Sequence, residues 1–127
     1  MTITVFGNPL LEEDSLPLRI LPELQKRFPE ITFEVKDPTE ECIPPENPWW
    51  IIDTVKGIKD VSCFESLDAF AAALKTRSNV SLHDFDLGLH LLLLKKINPD
   101  LEVRIIGVPP EDNGRVVEEI AAMLHPT

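Results

Sequence analysis

The chain has 127 residues, 43% of them hydrophobic and 27% charged, which suits a single domain spanning 1–127 with its own core. Its 22 Asp and Glu against 12 Lys and Arg leave a net charge of −10. That balance excludes the nucleic-acid backbone as a partner, since phosphate binding relies on clustered cations, and favours basic partners, metal cations or plain solubility.

Cys42 and Cys63 form neither a disulfide framework nor a zinc-ligand spacing, and they read as free thiols in a reducing compartment. The opening Met1-Thr2-Ile3-Thr4-Val5 has no basic stretch ahead of a long apolar one, so no secretory leader is expected. The longest apolar run, Leu89 to Leu94 interrupted by His90, is too short to span a bilayer. The expected location is the cytoplasm, without a membrane partner.

In chain order, residues 2–6 carry Ile3 and Val5 and end at Gly7-Asn8-Pro9, which predicts a first strand closed by a turn. Leu16, Ile20, Leu21, Leu24 and Phe28 then recur at helical spacing. Pro17 suits the first turn of that helix, whereas Pro22 should bend it or loosen one bond. Ile31, Phe33 and Val35 alternate with polar residues as a second strand exposed on one face. Residues 37–48, rich in Pro, Glu and Asn, read as a loop. Trp49-Trp50-Ile51-Ile52 is continuously apolar up to Asp53, the pattern of a central parallel strand covered on both faces.

Val61 to Phe64 suits a short edge strand, and Leu67 to Leu74 a helix. Ser81-Leu82-His83-Asp84 resembles a capping box opening a Leu-rich helix over 84–97, which should be deeply buried or lie at a subunit contact. Val103, Ile105, Ile106 and Val108 form a last strand closed by Gly107 and Pro109-Pro110, and 115–124 is an amphipathic final helix. Alternating strands and helices imply an α/β fold: a three-layer α/β/α sandwich around a mostly parallel sheet of about five strands.

In such sheets ligands bind outside the carboxyl ends of the strands, near a switch in strand order. Asn8, Asp53 and Val108 all follow predicted strand ends. Asp53 should sit at the lip of the sheet, either as a metal ligand or acid/base group, or as a cap or turn residue before Gly57. Glu12, Glu13 and Asp14 lie between the first strand and helix, either as acids favoured by the helix dipole or with one aimed into a cleft as an oxygen ligand. His83 lies just inside a helix start, which disfavours its protonated form and leaves an imidazole able to bind metal. His90 reads as structural, and His125 lies in the tail.

Four segments resemble the [NiFe]-hydrogenase maturation endopeptidases, in that family's order and over nearly the whole chain. They are Phe6-Gly7-Asn8-Pro9-Leu10-Leu11-Glu12-Glu13-Asp14, then Trp50-Ile51-Ile52-Asp53-Thr54-Val55-Lys56-Gly57, then Ser81-Leu82-His83-Asp84-Phe85-Asp86-Leu87, and lastly Ile105-Ile106-Gly107-Val108-Pro109-Pro110-Glu111. Ser15 and Pro17 stand where the family usually has Gly. The resemblance implies three metal-contacting side chains, Asp14, Asp53 and His83, with Asp14 and Asp53 as the catalytic carboxylates of an aspartic-type endopeptidase. It implies removal of the C-terminal extension from a hydrogenase large-subunit precursor after nickel insertion. The nickel would be carried by the substrate, with no cofactor held permanently by the enzyme. The competing expectation is a metal-dependent binding module that recognises a metalloprotein without cutting it.

Overall fold

A computed structural model of the chain describes residues 1–7, 10, 15–36, 44–55, 57–66, 68–70, 72 and 95–124. Five strands, β1 (Thr2–Phe6), β2 (Thr32–Lys36), β3 (Trp49–Thr54), β4 (Ser62–Phe64) and β5 (Val103–Val108), build one sheet in the order β2-β1-β3-β5-β4. The first four positions are parallel, and β4 closes the edge antiparallel to β5. Two helices are α1 (Leu16–Arg27) and α2 (Val116–Leu124). Residues 68–70 and 95–97 are also helical, while the remainder of the expected helices at 67–74 and 84–97 lies outside the described residues, Ala72 apart.

Successive side chains along a strand face opposite ways, and this alternation sorts the core into two halves. One face carries Ile3, Val5, Ile52, Ile106 and Val108 against Leu16, Ile20 and Leu24 of α1 and Val116 and Ile120 of α2. The other carries Phe6, Trp49, Ile51, Val55, Val103 and Ile105, with Phe70 and Leu101 packed on it. Both faces of β3 are therefore buried, which is why its sequence is an unbroken apolar run. The indole N–H of Trp49, which has no exposed surface, donates to Thr4 Oγ1 at 2.8 Å. A polar tip buried this deeply needs such a partner.

Pro17 lies in the first turn of α1 as expected. Pro22 does not end the helix, which runs on to Arg27; Pro22 is exposed, so its missing N–H falls on the solvent side. Strand β2 differs from expectation in its exposure. Ile31 and Phe33 are partly buried against the α1 face, but Val35 is 49% exposed at the free edge. The edge strand expected at 61–64 forms over Ser62–Phe64.

Candidate functional site

Asp53 lies inside the β3 ladder, one residue before the strand's carboxyl end, and not beyond it. The β3–β5 ladder pairs Asp53 with Gly107 and Thr54 with Val108, and Val55 N–H still donates to Val108 O at 2.9 Å. The strand thus outlasts Asp53, and the carboxylate falls in the same file as Trp49, Ile51 and Val55 with no exposed surface. The chain turns four residues later, at Gly57 with φ 87°. Sequence reasoning misplaced Asp53 because nothing in the pattern marks where an apolar strand stops when its last residues are Asp and Thr.

The strand order makes this position informative. From β1 the chain passes through α1 to β2 on one side, and the next strand, β3, lies on the other side of β1. The order therefore reverses between β1 and β3, and the carboxyl ends of those two strands flank the crevice where open α/β sheets bind ligands. Asp53 stands one residue from the end of β3 at that crevice. Asn8, Glu12, Glu13, Asp14 and His83 lie outside the described residues, as do His90, His125 and Cys42. Among the described residues, no group of three or more His, Cys, Asp or Glu side chains is placed to hold a metal ion.

Three features around the end of β3 have surroundings that the sequence did not reveal. A Cβ on Gly107 would come within 3.0 Å of both Phe64 Cε2 and Val55 Cγ2, so the glycine lets β4 and the end of β3 close together beside Asp53. Phe64 in turn meets Phe70 edge-on, with ring centroids 5.5 Å apart. Thr54 Oγ1 is buried with no hydrogen-bond partner among the described residues. An orphaned hydroxyl of this kind costs about 1–3 kcal/mol, so a valine of the same shape would be the cheaper residue for the fold alone.

The third feature is a cluster of polar groups behind the turn at 57–61. Asn113 Nδ2 donates to Lys59 O at 2.9 Å and to Glu119 Oε1 at 3.0 Å, while Glu119 Oε2 accepts from Val61 N–H at 3.2 Å. Arg115 pairs with Asp60 at 3.0 Å. Apart from Asn113 and Glu119, which are six residues apart, the partners are more than fifty residues apart in sequence and leave no local signal there.

Cys63 lies exposed on β4 as a free thiol. Partial burial pushes its pKa up, Glu65 adds to the shift and Arg104 opposes it, so little thiolate forms near neutral pH. That argues against a cysteine nucleophile at this residue. A groove of about 260 Å³ lies between α1 and the start of α2, lined by Leu16, Arg19, Glu23, Asp112 and Val117 among others. Asp53 does not line it.

No family model matches the sequence, and no curated protein matches it. Solved structures do. Hydrogenase maturating endopeptidase HybD from E. coli superposes with a TM-score of 0.58 at 17% identity, covering 99% of this chain and 86% of that one. [NiFe] hydrogenase maturation protease HybD from Thermococcus kodakarensis gives 0.53 at 20% identity, over 85% and 78% of the two chains. The fold is that of the hydrogenase maturation endopeptidases. The maturation-endopeptidase fold is thus reached from backbone geometry as well as from the four sequence segments. It carries the expected α/β architecture with a five-stranded, mostly parallel sheet. Among the described residues, no helix is long and apolar enough to cross a membrane.

Proposed function

We propose that the protein is a cytoplasmic endopeptidase that removes the C-terminal extension of a [NiFe]-hydrogenase large-subunit precursor after nickel insertion. The observation that carries this reading is the buried Asp53 carboxylate at the β1–β3 crevice of a sheet folded like the HybD endopeptidases. In this reading Asp53, Asp14 and His83 meet the nickel that the precursor itself presents. Mixed carboxylate and imidazole donors suit nickel and lack the thiolates of a tight structural zinc site. The nickel is part of the substrate and serves as the mark that its assembly is finished.

Hydrolysis then needs water delivered to the scissile carbonyl and a proton returned to the leaving amine. Carboxylates perform both proton transfers when held within hydrogen-bond reach, and Asp53 and Asp14 are assigned that work as in an aspartic-type peptidase. Asp53 is suited to it because a central strand buried on both faces fixes its direction.

Incubation with nickel-loaded and nickel-free precursor, followed by intact-mass spectrometry, tests the proposal. Loss of the extension from the nickel-loaded form alone is expected. Tight association with the loaded precursor without cleavage would replace the peptidase by a metal-dependent binding module.

A further inference from the structure

We propose that Asn113 and Glu119 are positioning residues for Asp53, acting through the arch of residues 57–61; this rests on Asp53 working as described above. The strand order β3-β5-β4 obliges the chain leaving β3 to cross the carboxyl end of β5 before it can return as β4. Two strand spacings must be bridged, roughly 10 Å. The arch that does so is footed at Val55, two residues beyond Asp53, and any drift in it pulls on the end of β3.

Both feet of the arch are fixed. At the first, Val55 N–H donates to Val108 O at 2.9 Å and the Val55 side chain packs over Gly107. At the second, Val61 N–H donates to Glu119 Oε2 at 3.2 Å. The crown is held through Lys59 O, which accepts from Asn113 Nδ2 at 2.9 Å. The amide orientation is set from behind, because Asn113 Oδ1 accepts from Arg115 N–H at 2.7 Å and leaves Nδ2 facing Lys59 O and Glu119.

The arch itself buries little. Gly57, Lys59 and Asp60 are exposed, while Val61 is buried and Ile58 packs, partly buried, against the second half of the core. Directional polar anchors on a turn with so little apolar burial fix geometry more than they add stability. What they fix is the path of the strand end that bears the carboxylate.

Steady-state processing of nickel-loaded precursor tests this with four variants of the full chain, each checked for folding by circular dichroism. Asn113→Asp sets two carboxylates face to face and removes the donor to Lys59 O. It is expected to lower kcat about tenfold with KM within about twofold, as a displacement well under 1 Å at a reacting group would. Glu119→Gln, which is isosteric, should lower kcat by a smaller factor, since one donor–acceptor contact is lost. The pair N113D/E119Q restores the contact between the two side chains, with the glutamine amide donating to the new carboxylate, but leaves Lys59 O without its donor, so it should recover part of the loss. A role in stability alone would not produce that rescue of kcat. Asp53→Asn is the reference. If it abolishes processing while both single variants turn over within about twofold of wild type, the positioning role is overturned. If Asp53→Asn itself processes normally, the functional reading of the site fails first. Should Asn113→Asp not fold, a wild-type kcat for Glu119→Gln overturns the proposal by itself.

Discussion

Asp53 is a carboxylate with no exposed surface in the central strand, a group that folded chains bury only where it is hydrogen-bonded or paired. Asp53→Asn preserves volume and removes the charge, so it isolates the carboxylate from packing. Processing by the folded variant should fall on the order of a hundredfold, more than for Asp14→Asn or Glu13→Gln, whose acidic neighbours can substitute in part. Wild-type turnover by Asp53→Asn would shift the work to Asp14 and His83. Thr54→Val removes a buried hydroxyl that has no partner among the described residues while keeping its shape. Its melting temperature should equal or exceed that of wild type, because a desolvated polar atom is lost and no described contact goes with it. Gly107→Ala is expected to behave oppositely, costing about 1–3 kcal/mol in denaturant unfolding as Val55 and Phe64 are forced apart. Of these residues Asp53 was legible in the sequence from its apolar run and from the resemblance. Thr54 and Gly107 stood in the quoted segments, but what sits beside them across the sheet left no trace there.

Among elements, α1 and α2 lie side by side on one face and are joined at the surface by Arg27 and Glu118, whose charged groups meet in two hydrogen bonds. Arg27 holds the Glu118 carboxyl below the usual glutamate range, chiefly through the hydrogen bond and then through its charge. A carboxyl depressed in this way stabilises the fold above the unfolded glutamate's pKa. The contribution disappears as pH falls through the lower folded value. Glu118→Gln should therefore melt below wild type near neutral pH, and the gap should close in acid below about pH 4 and shrink with added salt. Both side chains face solvent, so the gap is small. A gap that persists unchanged in acid would show that the pair is not its source. Element type was largely readable because each periodicity matched one buried face: period two in β1, a continuous run in β3, helical spacing in α1. The end of β3 was not, because it depends on how far the neighbouring strand continues to pair with it.

At the scale of the whole molecule, the sheet's centre and edges should differ in how readily they open. Strands β1, β3 and β5 pair on both sides, whereas β2 and β4 each have one neighbour. Amide hydrogen exchange should be slowest in β3 and fastest in β2 and β4, in step with their burial. Protection in β2 equal to that in β3 would point to a partner covering the free edge. The reversal of strand order that locates the crevice could be anticipated only in outline from the sequence, since pairing order leaves no periodic trace. One further consequence concerns time. Asn113 is followed by Gly114, which has φ 80° and no side chain to shield the intervening amide. Asparagine is a thermolabile residue, and before glycine its side-chain amide is readily lost through a cyclic imide. The product is an acid facing Glu119, where the clamp on the 57–61 arch needs a donor. Stored protein should therefore accumulate a species more acidic than the original net charge of −10, separable by isoelectric focusing, with peptide mapping placing the change at Asn113. Age would then be written into the molecule as a single charge, at the one asparagine that holds the arch in place.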